Sequence, residues 1–436
     1  MEQAKRNRQI QVIMGIYSVT ALILFLVFGA VYGGIGEAFK GFIAVVQMPS
    51  QMTMDYFLKA TVGGTFLNVG LVGLCQMLVF KLSKASLNGT TLMAFFLTMG
   101  FAFFGMNPIN IWPCILGTLV FCLVSKEKFS SQANIAVFST AMAPFVSEMF
   151  FRYTAFEGMP ALRVLGGLGV GILAGFLMPI LCKHGPNMHK GNTLYNAASA
   201  AGLISILLYS LMFKAPGVEA VTNTAIGEEN LAVPLLTYVI LTAGLDIALG
   251  WYMKGKNFEG VAQIFKNSGY GIDLTKDQPG LAAINVGIFE LFMTAYFCAI
   301  GSPMTAAPTL AAIICMLSTA PCGTHALNMI PIIIGYAIAC AFSSFTLTTP
   351  AIILALCYAS ALTPIPSGFG PLAGILAGIV HAVLVTQVVT FYNAFCFYNG
   401  GFTCFLTAVI YGTVLDYFFE RDTKMRWNPI PILKKR

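Results

Sequence analysis

Residues 107–147 read NPINIWPCILGTLVFCLVSKEKFSSQANIAVFSTAMAPFVS, and residues 325–367 read HALNMIPIIIGYAIACAFSSFTLTTPAIILALCYASALTPIPS. The second stretch repeats the first. Asn110, Pro113 and Gly117 fall on Asn328, Pro331 and Gly335 at an offset of 218, and Pro144 and Ser147 fall on Pro364 and Ser367 at 220. In both copies prolines lie within long apolar runs. Proline removes an intrahelical hydrogen bond, and lipid offers the freed carbonyl no partner. Such breaks persist in membranes where the loosened backbone faces protein or water, and in many transporters that cavity holds the solute. Helix breaks at Pro113, Pro331, Pro144 and Pro364 are therefore the first pointer to a solute site.

The repetition extends outward from this core. Phe39-Lys40-Gly41 recurs as Phe258-Glu259-Gly260, and Asn68-Val69-Gly70 recurs as Asn285-Val286-Gly287. The GILAG at Gly171 recurs at Gly374, followed at equal distance by Tyr195-Asn196 and Tyr398-Asn399, an offset of 203. The drop from 220 to 203 places a 17-residue excess of the first copy near residues 149–166. Matches in constant order over most of the chain mark an internal duplication.

Composition sets the class. Of 436 residues, 57% are hydrophobic and 9% charged, against about 25% charged in a soluble domain. The expected fold is an all-α polytopic membrane protein with two repeats of about seven hydrophobic segments each. The first repeat covers residues 1–214, a linker covers 215–232, the second repeat covers 233–420, and a basic tail covers 421–436. The runs 90–104 and 109–124 are short for a ~30 Å hydrocarbon core, so they and their copies over 305–341 either span at a tilt or re-enter as a hairpin. A net charge of +7 reflects placement about the bilayer, and no nucleic-acid partner is expected.

That placement gives the orientation. With the N-terminus in the cytoplasm and an odd number of crossings per repeat, only Lys40, Lys59, Arg152, Arg163 and Lys214 of the 24 Lys and Arg lie outside. The positive-inside rule is satisfied by inverted repeats with both termini cytoplasmic and the linker outside.

The repeated polar residues Asn68, Asn285, Asn110, Asn328, Ser147, Ser367, Tyr195, Asn196, Tyr398 and Asn399 are neutral donor–acceptor groups suited to a small polar solute. Ionisable residues inside apolar runs are costly and are functional candidates by default. Glu290, Asp246, His381 and Glu148 are such residues, and their repeat partners are Gly73, Gly29, Met178 and Gly368. Solute-facing groups are thus doubled while titratable ones are single, as expected of a carrier driven by H⁺ or Na⁺. The eleven cysteines show no metal spacing. The loop from His184 to Lys190 reads as a turn, and no phosphate-binding or hydrolase motif occurs. No cofactor, metal site or enzymatic activity is expected.

Through KHGPNMHKGNTLYNAASAAGLIS (residues 183–205) the chain resembles a bacterial family of polytopic membrane proteins of unknown function. That resemblance implies the bacterial inner membrane. Asn107-Pro108 and Tyr195-Asn196-Ala197 with Gly202 are similar to half-repeat motifs of the urea transporters. That likeness implies inverted five-span halves and small neutral amides. The sequence departs from the pattern at Ala197, which is Gly400 in the second copy, and at Thr324-His325 in place of the second Asn-Pro. The expected function is secondary transport of a small polar solute, with a urea-type channel and a membrane enzyme or lipid-handling protein as alternatives. Composition leaves a homo-oligomer open.

Overall fold

The computed structural model describes residues 2–52, 54–222, 231–276 and 278–434. It is an all-α polytopic membrane protein, with eight helices among the described residues long and apolar enough to cross a bilayer. The first repeat runs α1 (Glu2–Val31), α2 (Ile35–Gln47), α3 (Tyr56–Lys59), α4 (Val62–Ser83), α5 (Gly89–Phe101) and α6 (Trp112–Ser125). It continues with α7 (Phe129–Ser139), α8 (Ala143–Phe151), α9 (Pro160–Cys182), α10 (Gly185–His189) and α11 (Ala198–Tyr209). The second runs α12 (Ala232–Met253), α13 (Val261–Ile264), α14 (Pro279–Ala299), α15 (Ala311–Met316) and α16 (Ala326–Ala341). It ends with α17 (Pro350–Ala359), α18 (Pro364–Phe369), α19 (Pro371–Val388), α20 (Asn399–Thr407) and α21 (Thr413–Phe418). Of the linker, residues 223–230 lie outside the described residues, as do Lys435 and Arg436 of the tail.

By length and composition, the eight long helices together with the shorter apolar helices Ala198–Lys214 and Pro350–Leu362 supply five candidate crossings per repeat, and α5 with α6 forms a hairpin. The arms α5 and α6 are about 20 Å long, too short to span. Thr91, near the start of α5, lies 3.0 Å from Asn134 in the middle of α7, which follows α6 directly. Both open ends of the hairpin are therefore on one side. A capping box between Asn88 and Thr91 starts α5, and one between His325 and Asn328 starts α16.

The prolines divide into two kinds. Pro144 and Pro364 each follow a 3₁₀ turn, at Thr140–Met142 and Ser360–Leu362, so each interrupts a crossing as expected. Pro113 does not break a helix. It is the second residue of α6, where its missing N–H is not needed. Pro331 is the sixth residue of α16. Both are seated on glycines: a Cβ on Gly171 would lie 2.3 Å from Pro113 Cβ, and one on Gly374 would lie 2.9 Å from Pro331 Cβ. One turn on, Gly117 meets the Ile172 carbonyl at 2.2 Å and Gly335 meets the Ile375 carbonyl at 2.2 Å, measured to the same built Cβ. Small residues let α6 cross α9, and α16 cross α19, at backbone contact.

The two repeats meet along like elements: α1 on α12, α5 on α15, α11 on α20. Their contacts are exchanged in pairs. Leu194 N–H donates to Ala361 O at 2.9 Å, and Phe397 N–H donates to Ala141 O at 3.2 Å. Asp55 accepts from Ala307 N–H at 2.8 Å, and Asp273 accepts from Gly89 N–H at 3.1 Å. Reciprocal contacts of this kind mark a two-fold relation. With five crossings per repeat it exchanges the two membrane faces.

Candidate functional site

A cavity of about 800 Å³ opens on the face carrying Lys183 and Lys190. Its mouth is formed by the loop that turns between α9 and α11, and by Gly269–Ile272 of the second repeat. Burial holds the His189 imidazole below its usual range, and its Nε2 pairs with Asn196 Oδ1 at 2.9 Å. Lys183 is offset by Glu127 at 3.1 Å, and the ammonium and its hydrogen bond hold that carboxyl below the usual range. No carboxylate lines the cavity among the described residues. Lys190, exposed, adds a second cation to the lining, and the remaining wall is neutral, with Thr90, Ser131, Asn134, Thr193, Asn196 and Tyr270 supplying polar groups.

The cavity ends on Tyr195 and Tyr398, whose rings meet edge to face at 6.0 Å. The Tyr195 hydroxyl lies 2.9 Å from Ser318 Oγ. The buried Tyr398 hydroxyl has no partner. Behind them Tyr358 packs at 6.3 Å from Tyr195 and bonds the Phe397 carbonyl, closing the path.

A second cavity, of about 90 Å³, lies beyond Tyr358, whose ring touches Gly400. Aligned by the offsets of the sequence repeat, its wall is the wall of the first. Met52 stands at the position of Tyr270, Ala351 at Ser131, Leu354 at Asn134, Ala355 at Ile135 and Val385 at Cys182. Thr386 stands at Lys183, Val389 at Pro186, Ala394 at Gly191, Asn399 at Asn196 and Gly400 at Ala197. Of its eleven residues only Ile352, which matches Gln132, lacks a partner in the larger wall. All twenty of these residues fall within two stretches, 35–214 and 253–417, that match one family description, protein of unknown function. The chain belongs to that family, DUF1576. No curated protein and no solved structure matches it.

In this DUF1576 protein the repeated polar residues serve two purposes. Tyr195, Asn196 and Tyr398 line the larger cavity, and Asn399 lines the smaller. The others hold backbone. Asn68 Nδ2 donates to the carbonyls of Ala102 (2.7 Å) and Met106 (2.8 Å), and Asn285 Nδ2 to those of Ala320 (2.9 Å) and Thr324 (2.7 Å). Asn110 bonds the Gly105 carbonyl, Asn107 N–H and Ser147 Oγ, while Asn328 bonds the Gly323 carbonyl and His325 N–H. The four bonds that each repeat makes in common with the other tie the hairpin tips, where turns leave carbonyls without helical partners. Ser367 packs under the C-terminal tail, its carbonyl accepting from Arg426 N–H at 2.8 Å. None of the four prolines lines either cavity.

Among the ionisable candidates, Asp246 and Glu290 come together. Both are fully buried where α12 and α14 meet α1, and Tyr17 bridges them at 2.9 Å to each. Glu290 also accepts from Thr242 at 2.8 Å. Tyr17 and Asp246 lie outside the stretches matched by the family. Sequence reading missed Tyr17, because an aromatic residue in an apolar span carries no signal of its own. It missed the helix-capping pair Asp55 and Asp273 as well, although their offset of 218 was there to find. His381 is satisfied on both sides, by Tyr336 at 2.6 Å and the Gly400 carbonyl at 2.9 Å. Glu148 pairs with Arg152 at 3.6 Å in a separate recess.

Proposed function

We propose that this protein is a secondary transporter of a small, polar, uncharged organic solute, working in the cytoplasmic membrane of a bacterium. The observation that carries the proposal is the pair of cavities built from matching residues of two inverted repeats. The larger is the site open to the cytoplasm. The smaller is the same site of the other half, closed. If the halves exchange conformations, the closed cavity opens outward and the open one closes, which is alternating access. The solute class follows from the cavity's inner end. Tyrosine hydroxyls and the Asn134 and Asn196 amides donate and accept without a net charge of their own. Asp246 and Glu290, single where the cavity residues are doubled, are the groups for a driving ion. On this reading the protein moves its solute unchanged and catalyses no reaction.

The test uses one cysteine at a time in a background free of the native ones. A membrane-impermeant maleimide should label Ser131→Cys from the cytoplasmic side and Ala355→Cys, buried in the smaller cavity, from the outer side. A solute that speeds one should slow the other. Simultaneous labelling of both sites, unresponsive to any solute in a screen of neutral amides, amino alcohols and polyols, would favour a urea-type channel and sink the carrier.

A further inference from the structure

Protons can be counted at the buried acid pair. Tyr17 Oη lies 2.9 Å from Asp246 Oδ2 and 2.9 Å from Glu290 Oε2, yet a phenol has one hydrogen to donate. If both carboxyls were ionised, one of these contacts would set two acceptors against each other with nothing between them. At least one carboxyl therefore carries a proton. The other contacts say which one. Glu290 has Tyr17 at Oε2 and Thr242 at Oε1, 2.8 Å away, and the single hydrogen of Thr242 can go to that oxygen when Glu290 is ionised or to the Tyr238 carbonyl at 2.9 Å when Glu290 holds a proton. Asp246 Oδ1 has no donor, although the residue is fully buried. An ionised Asp246 would leave a charged oxygen unpartnered in an apolar interior, which is far costlier than leaving a neutral carbonyl there. The arrangement is Asp246–OH donating to Tyr17, and Tyr17 donating to Glu290 Oε2, with Glu290 able to exist in either form.

The groups facing that carboxylate do not neutralise it. Tyr17 from α1 and Thr242 from α12 contact it, while around them Tyr238 bonds the Tyr17 backbone carbonyl, Thr294 of α14 bonds the Glu290 backbone carbonyl, and Phe96 of α5 packs on the Tyr17 ring. The nearest basic residues along α1, α4 and α12 are Arg8, Lys81 and Lys254. Arg8 and Lys254 are each about 12 Å or more along their helix axes from Tyr17 and Asp246, and Lys81 is as far beyond Gly73, which packs on Ser18. A lone carboxylate at that depth is expensive, and a proton removes its charge.

We infer that Asp246, Tyr17 and Glu290 form a proton-binding site in which Asp246 keeps a resident proton and Glu290 takes up and releases a second. The site joins the two repeats, since Tyr17 belongs to the first and both acids to the second. Moving α1 away from α12 and α14 withdraws a donor from Glu290, so proton occupancy and the arrangement of the halves bias each other. That last link rests on the carrier reading. The proton count does not.

The full chain carrying Asp55→Asn, which removes the other buried carboxyl that holds a proton near neutrality, tests it in lipid nanodiscs by infrared spectroscopy across pH. A protonated-carboxyl C=O band should be present at neutral pH and be lost in Asp246→Asn. A second band should grow on acidification and be absent from Glu290→Gln. In Tyr17→Phe that second band should appear at higher pH, because Glu290 has lost a donor. The proposal is overturned if Asp246→Asn keeps the neutral-pH band, if no such band exists, or if sodium at fixed pH abolishes the second band, which would make the ligand a metal cation. Maleimide labelling at Ser131→Cys and Ala355→Cys reports separately on alternating access, so either reading can fail while the other stands.

Discussion

Asn68 shows how much one side chain can hold. Its single amide serves two carbonyls at the tip of a hairpin that has no helix to satisfy them, and Asn285 repeats this in the second half. Alanine at either position strands two buried acceptors, and each lost bond costs about 1–3 kcal/mol. Asn68→Ala and Asn285→Ala should each lower stability by about 2–4 kcal/mol, read as a fall in melting temperature in detergent. Asp55 offers a pH test. Burial pushes its carboxyl up to about 7, against the pull of Thr305, Ala307, Leu58 and Phe57. Between about pH 4 and pH 7 the folded protein keeps a proton that the unfolded chain has released. Stability contributed by that proton is complete at the acid end, is lost as pH rises through the window, and changes no further above it. Melting temperature should therefore fall from pH 5 to 7 in the wild type relative to Asp55→Asn.

At the scale of elements, the crossings of α6 with α9 and of α16 with α19 are fixed by glycines facing backbone. A Cβ on Gly175 would stand 1.8 Å from the Cys114 carbonyl, and a carbonyl cannot rotate away as a side chain could. Gly175→Ala should cost about 3 kcal/mol or more and reduce the monodisperse fraction in gel filtration. Gly15 on α1 has nothing within 4 Å of a built Cβ, so Gly15→Ala should leave stability unchanged or raise it by about 0.5–1 kcal/mol. The contrast separates a packing requirement from a general intolerance of alanine. It also explains Pro113 and Pro331, whose rings fill the space that Gly171 and Gly374 leave.

For the whole molecule, transport as proposed requires the small outer cavity to open. Met52 N–H donates to the Ala394 carbonyl at 3.3 Å, and Gln51 bonds the carbonyls of Val221 and Asn393 at 3.2 Å each, closing that mouth. A disulfide between Met52→Cys and Ala394→Cys should hold it shut. Labelling of Ala355→Cys from outside should then be lost while Ser131→Cys stays reactive from inside, and a reductant should restore the first. Labelling of Ala355→Cys despite the crosslink would count against this mouth as the outer entrance.

Composition and apolar run length settled the class, because a bilayer admits few ways of satisfying a backbone and each leaves a long hydrophobic segment. Constant offsets revealed the duplication, and an odd crossing number with one-sided lysines inverted it. The sequence could not sort the repeated polar residues. A position is repeated because it does the same work twice, and tying a turn repeats as faithfully as binding a solute. Asn68 and Tyr195 look alike on that evidence, yet one bonds carbonyls and the other lines a cavity. Only the tertiary structure brought Tyr17 across 229 residues to Asp246, and only it paired the open cavity with its closed twin. Both are contacts between halves, which neither periodicity nor composition within one half can encode.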